Sequence, residues 1–171
     1  MRRLTLIAVA CAAALSSSLA FAQQPAAPAA PPPAPPAYGP PVTLEQAKKA
    51  VAVAVTEAKK NAGYTFVFAV VDPAGNLVYF ERMDSAPTSS VDIAVGKAWT
   101  AATFKRPSKA FFDAMESGHS FFGQLHPRVT ASAGGLPLMV DGKIVGAIGV
   151  SGGANGLMDL GAAQAGADAL K

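Results

Sequence analysis

Two strand–turn–strand patterns, each followed by a helical segment, constrain the fold of this chain more than any other feature. Residues 64–82 are rich in β-branched and aromatic residues and are interrupted by the turn sequence Asp72-Pro73-Ala74-Gly75-Asn76. Residues 136–150 repeat the arrangement around the shorter turn Asp141-Gly142. Such runs around Asp, Gly and Asn predict two antiparallel hairpins, which supply the strands of one sheet.

Helical segments precede, separate and follow the hairpins. The first has Thr43 as its N-cap, and Gln46 three residues later completes a capping box. A second capping box, Ser89 to Asp92, is predicted to open a helix from about Val91 to Phe104, and Ser108 is predicted to cap a short helix through Met115. The last helix is expected near Met158–Leu170.

The order helix, hairpin, two helices, hairpin, helix predicts an α+β fold. Its antiparallel sheet is flanked by helices, and a short strand near Val129 to Ser132 brings the expected number of strands to about five. The segment Ser151 to Gly156 joins a strand to a helix and is rich in glycine, but it lacks the spacing of a phosphate-binding loop. A strand-to-helix turn is therefore the favoured interpretation of that segment.

The amino-terminal residues predict export. Arg2 and Arg3 precede an apolar run, and Ala20-Phe21-Ala22 has the small-x-small pattern of a signal-peptide cleavage site. Residues 1–22 are interpreted as a signal peptide cut after Ala22, which leaves no transmembrane anchor and an exported protein, periplasmic or secreted. An ordinary or a twin-arginine route remains open, as does the minor alternative of lipidation at Cys11.

Cleavage would change the composition of the remaining chain. Cys11, the single cysteine, would be lost, and the net charge would fall from +3 to +1, since 12 basic and 11 acidic residues remain. Residues 23–41 consist almost entirely of Ala, Pro and Gln and are predicted to form a disordered tether. Residues 42–171 form one domain without the basic surface expected for nucleic-acid binding.

A set of segments that spans nearly the whole domain forms a specific combination, although no single segment is diagnostic. The segments are Val70 to Leu77, Glu81 to Ala86, Asp92 to Ala94, Lys97 to Phe104, Arg106 to Ser108, Gly134 to Pro137, Asp141-Gly142 and Val145 to Gly152. In this order they resemble the GlcG/HbpS family.

The resemblance implies a profilin/GlcG-like three-layer α+β arrangement and frequent assembly into homo-oligomers. For characterised exported members it implies binding of haem, and in some cases haem degradation. Related domains are fused to corrinoid enzymes, so the expected partner is a small-molecule ligand of the tetrapyrrole class. No catalytic residue can be assigned from the sequence, which contains no nucleophile–base set or metal-binding spacing.

Two histidines are the candidate ligands of a haem iron. His119 and His126 lie in one segment with Phe121 and Phe122, and imidazoles beside aromatic rings suit a flat apolar macrocycle. The alternative is that the phenylalanines fill the core or a subunit interface while the histidines face water. A single histidine is a weak signal, and the pair strengthens it only modestly.

Three further residues are candidates for cofactor binding. Lys97 and Thr100 match the family's central helix and, three residues apart, share a face of it. Lys97 could bind a haem propionate or form an ion pair with Asp92 or Glu81, and Arg82 has the same two interpretations.

The sequence therefore predicts an exported haem-binding protein that sequesters or degrades haem. Two alternatives stay open: a binding module or enzyme for another small metabolite, and an oligomeric scaffold without catalytic activity.

Overall fold

The computed structural model describes residues 34–171, which form a four-stranded antiparallel sheet with helices on both faces. The predicted signal peptide and residues 23–33 of the predicted tether lie outside the described residues. The strand order is β2-β1-β4-β3, so the two hairpins meet through β1 and β4 at the centre of the sheet. The elements in chain order are α1 (Leu44–Ala58), β1 (Val67–Val71), β2 (Leu77–Arg82), α2 (Ser89–Thr103), α3 (Lys109–Glu116), a 3₁₀ helix (Ser120–Gln124), β3 (Gly135–Val140), β4 (Lys143–Ser151) and α4 (Gly156–Asp168).

The central strand β1 is buried on both faces and separates two apolar clusters. Phe68 and Val70 belong to the cluster that packs against α1 and α4. Val67, Ala69 and Val71 point the other way and belong to the cluster formed with α2. Successive side chains of a strand face opposite sides, so the sheet is the middle of three layers. The predicted three-layer α+β fold is confirmed.

The sheet has four strands rather than the expected five. The predicted short strand near Val129 to Ser132 is wrong: the backbone N–H of Val129 donates to the carbonyl of His126, and that of Thr130 donates to the hydroxyl of Thr100. The backbone of this segment is therefore bonded to a turn and a helix, and it is not available to pair with a strand.

The helix starts show which caps a local sequence can predict. Thr43 and Gln46 make both bonds of the predicted capping box. The box at Ser89 is wrong, because α2 begins at Ser89 after Thr88 and no side chain caps it. Ser108 precedes α3 as predicted but makes no capping bond: its hydroxyl donates to the carbonyl of Ser132 and accepts from the N–H of Gly135. Ser108 thus joins α3 to the start of β3.

The last residues of the predicted tether pack on the domain. Gly39 donates its N–H to the carbonyl of Ile144, and Ile144 donates to the carbonyl of Ala37. The Tyr38 hydroxyl donates to the carbonyl of Ala102 at the end of α2, 2.9 Å away. Burial of this hydroxyl raises the pKa of Tyr38. These bonds fix the point at which the chain enters the fold. Within residues 34–171 we find no helix with the length and apolar character needed to cross a bilayer.

Candidate ligand-binding site

A continuous series of aromatic contacts joins the two candidate histidines. It runs from α2 through α3 to the 3₁₀ helix, and adjacent ring centres lie between 4.6 and 6.4 Å apart. Edge-to-face and offset contacts at these separations are favourable between aromatic rings. The rings in order are those of His126, Trp99, Phe104, Phe111, Phe122, Phe121 and His119. We refer to these seven residues as the aromatic series.

Its buried half is fixed by close packing. Phe111 is the buried residue of α3, and Trp99 is only 9% exposed. Gly75, in the first hairpin turn at φ 84°, makes room for the indole, because a Cβ there would lie 2.3 Å from Cδ1 of Trp99. The other half is open to solvent, since Phe121 is 54% exposed. The series therefore combines a rigid base with an exposed apolar edge.

His119 lies at the exposed end, immediately before the 3₁₀ helix, and its hydrogen bond determines which ring nitrogen is free. The Ser117 hydroxyl donates its single proton to the carbonyl of Ala114 at 2.9 Å. It lies 3.3 Å from Nδ1 of His119, and while its proton is on the Ala114 carbonyl it can only accept from an Nδ1–H group. The neutral ring then has its lone pair on Nε2, the form in which histidine binds a metal.

His126 is held in a different way at the other end of the series. Its ring stacks on Trp99 with a centre-to-centre distance of 4.6 Å and an interplanar angle of 29°. Its Nδ1 accepts the backbone N–H of Arg128 at 3.1 Å, which leaves the proton of the neutral ring on Nε2. In this arrangement neither nitrogen of His126 has a free lone pair for iron. The structure thus distinguishes the two histidines as candidate ligands of iron, which the sequence alone could not do.

Lys97 is buried and already has an anionic partner. Its ammonium lies 2.7 Å from Oδ2 of Asp159 and donates to the carbonyl of Val150 at 3.1 Å. The lysine and aspartate side chains are 2% and 7% exposed. Burial lowers the pKa of Lys97, and the nearby Asp159 carboxylate opposes that shift without cancelling it. The partner is Asp159, not Asp92 or Glu81.

Thr100 and Arg82 also make bonds within the protein. The buried Thr100 hydroxyl donates to the carbonyl of Gly96 and accepts the N–H of Thr130, so it fixes the segment after His126 on α2. The Arg82 guanidinium donates to the carbonyl of Ala86 in the connection between β2 and α2. The structure brings Thr100 to the segment that contains His126 and places Arg82 in a different connection.

Sequence reasoning missed two arginines that lie over rings of the series. The guanidinium carbon of Arg128 is 4.9 Å from the Trp99 ring centre, and that of Arg106 is 6.0 Å from the Phe111 ring centre. Both are exposed cations over aromatic rings. The Nε–H of Arg106 donates to the carbonyl of Phe104, whereas the terminal N–H groups of both guanidinium groups make no hydrogen bond within residues 34–171. Arg106 lies in a segment that resembles the family, whereas nothing local in the sequence links Arg128 to Trp99.

The part of the chain that the structure describes contains no cluster of side chains that could bind a metal ion by themselves. There, no three His, Cys, Asp or Glu side chains come together. A single exposed histidine beside an apolar surface is instead the donor set that haem can use, because the porphyrin itself supplies four ligands of the iron. His119 next to Phe121 fits that requirement.

Comparison with known proteins gives a consistent result. A family model described as "Haem degrading protein HbpS-like" matches residues 42–168. Protein GlcG of Escherichia coli is 36% identical over 107 residues, which cover 63% of this chain and 78% of GlcG.

Two solved structures share the fold. A double mutant of HbpS from Streptomyces reticuli is 34% identical with a TM-score of 0.71, and the match covers 84% of this chain and 99% of HbpS. A PduOC:heme complex is 27% identical with a TM-score of 0.69, and the match covers 77% of this chain and 96% of PduOC.

Proposed function

The chain belongs to the HbpS-like family, and we propose from this premise that it binds haem, with His119 as the axial ligand of the iron. The observation that carries the proposal is the free Nε2 of His119, fixed by Ser117 and adjacent to the exposed ring of Phe121. Haem, when bound, supplies an iron centre that takes a neutral imidazole as a ligand. The haem complex of the similar PduOC structure supports the same ligand class.

The remaining contacts follow from the chemistry of the ligand. Phe121 and Leu125 are 54% and 48% exposed and offer apolar surface to a porphyrin face. The haem propionates need positive charge, and we assign that role to Arg106, which lies over Phe111 of the aromatic series. Lys97 is a poorer partner because its ammonium is buried and bonded to Asp159.

Hemin titration of the mature protein tests the proposal. We expect a saturable shift of the Soret band whose size falls strongly in His119→Ala, because the iron loses its protein ligand. His126→Ala is the matched control and should keep the shift, since Nδ1 of His126 accepts the Arg128 N–H and the ring stacks on Trp99. Ser117→Ala should weaken binding roughly tenfold, as expected for loss of a bond that orients a ligating histidine. A titration without a saturable shift would exclude haem binding.

We propose binding and sequestration of haem as the role of the exported protein, and propose that export follows cleavage after Ala22. The family description names haem degradation, but for this chain the proposal requires only binding. Amino-terminal sequencing of the protein recovered from the periplasm or medium should begin at Gln23. Recovery from the cytoplasm with Met1 intact would contradict export and would leave the hemin result unaffected.

A further inference from the structure

A groove of about 400 Å³ lies between the first half of α2 and the residues that follow His126. A volume of this size is typical of small-molecule sites, which combine apolar walls with a few polar groups. Its apolar walls come from Ile93, Val95 and Pro127. Asp92, Arg128 and Thr130 are its polar lining residues.

The loop wall of this groove is held firmly on the helix. A Cβ at Gly96 would lie 2.2 Å from Oγ1 and 3.2 Å from Cβ of Thr130, so the glycine makes room for this threonine side chain against α2. The N–H of Thr130 donates to the Thr100 hydroxyl at 2.9 Å, and His126 stacks on Trp99. The groove is therefore preformed, which reduces the entropy lost when a ligand binds.

Arg128 is positioned to receive an anion. Its guanidinium carbon lies 4.9 Å from the ring centre of Trp99, and the group makes no ion pair within residues 34–171. A planar guanidinium presents a pair of N–H donors that match the two oxygens of a carboxylate. Asp92 lines the same groove and is also without an ion pair in this part of the chain, so it can accept from an ammonium or hydroxyl group.

We infer that this groove binds a small organic acid with an apolar body and an α-amino or α-hydroxy group. Arg128 binds the carboxylate, Asp92 accepts from the α-substituent, and the apolar body lies against Ile93, Val95 and Pro127. This site differs from the one proposed for haem: it uses Arg128 and Asp92, whereas the haem proposal uses His119 and the exposed end of the aromatic series.

Trp99 provides the readout, because it is the single tryptophan of the chain and lies directly beneath Arg128. Titration of the mature protein with L-leucine should change its fluorescence saturably. Isocaproate, which lacks the amino group, should bind more weakly, and the neutral isocaproamide should not bind. Arg128→Gln should lower the affinity for L-leucine roughly tenfold or more, as expected when a charge-assisted hydrogen bond is lost.

Two variants and a second method make the test specific. Asp92→Asn should weaken the binding of L-leucine but leave the binding of isocaproate unchanged. Arg106→Gln removes a guanidinium over a different ring and should change the binding of neither compound. Calorimetry repeats each titration without relying on the fluorescence of Trp99. Equal binding of isocaproamide, no effect of Arg128→Gln, or no saturable signal by either method would overturn the inference. Hemin titration gives its result separately, so either proposal can fail while the other stands.

Discussion

Replacing Asp159 with alanine is expected to lower the free energy of unfolding by about 3–5 kcal/mol, because it leaves the buried ammonium of Lys97 without a counter-charge. The carboxylate also accepts the N–H of Gly153, so the substitution removes a second, partly buried hydrogen bond. Lys97 extends from α2 on one face of the sheet, and Asp159 belongs to α4 on the other. The pair therefore joins the outer layers of the fold.

The pH dependence of this effect has a defined sign. Burial lowers the pKa of Lys97 in the folded protein, so between that pKa and about 10.4 the unfolded chain binds more protons. The contribution of Lys97 to stability therefore becomes more favourable as the pH rises through this window. Without Asp159 the pKa of Lys97 is lowered further. Part of the lost free energy of unfolding should therefore be recovered as the pH rises toward 10.

Urea unfolding followed by Trp99 fluorescence measures the effect, with two controls. Asp113→Ala breaks the exposed pair with Lys109 and should cost less than about 1 kcal/mol. The double variant Lys97→Met with Asp159→Ala removes the buried charge as well and should be more stable than Asp159→Ala alone. A double variant no more stable than the single one would show that the unpaired charge is not the cause of the loss.

The second large effect is expected at Gly149, where β4 passes directly beneath α2. An added Cβ would lie 2.0 Å from the carbonyl oxygen of Ala94 and 2.6 Å from the backbone nitrogen of Ala98. Both obstructing atoms belong to the helix backbone, so relief requires α2 to move away from the sheet. We expect Gly149→Ala to cost about 3 kcal/mol or more, at the upper end of overpacking effects.

Gly161 in α4 is the matched control, because nothing lies within 4 Å of a Cβ added there. Alanine is the better helix former by roughly 0.5–1 kcal/mol, so Gly161→Ala should stabilise the protein by about that amount. Thermal or urea unfolding of both variants provides the comparison. If Gly149→Ala were as stable as the parent, α2 could not lie as close to β4 as described.

Local patterns predicted the local structure well, and failures occurred where distant residues decide the outcome. The box at Thr43 needs only Gln46 three residues away, and its two bonds are present. Ser108 has an equally suitable sequence, yet its hydroxyl bonds to Ser132 and Gly135, which the fold brings beside it. A cap preference of about 1 kcal/mol is readily overridden by buried tertiary bonds.

The same limit applies to the candidate site. The sequence identified His119, His126 and Lys97 as candidates, but the partner of Lys97 is 62 residues away and no periodicity relates the two. The aromatic series joins α2, α3 and the 3₁₀ helix, and each of its phenylalanines taken alone is indistinguishable from core filler. The difference between the histidines depends on the bonds of Ser117 and of Arg128, which only the folded backbone defines.

Imidazole rescue of His119→Gly tests the central claim most directly. The visible spectrum of the hemin complex is recorded for the mature protein and for this variant, each with and without added imidazole. If His119 ligates the iron, the variant should lose the Soret position of the parent complex, and imidazole should restore it, while His126→Gly should keep it without imidazole. A His119→Gly complex with the parent spectrum in the absence of imidazole would contradict the assignment of His119 as the axial ligand.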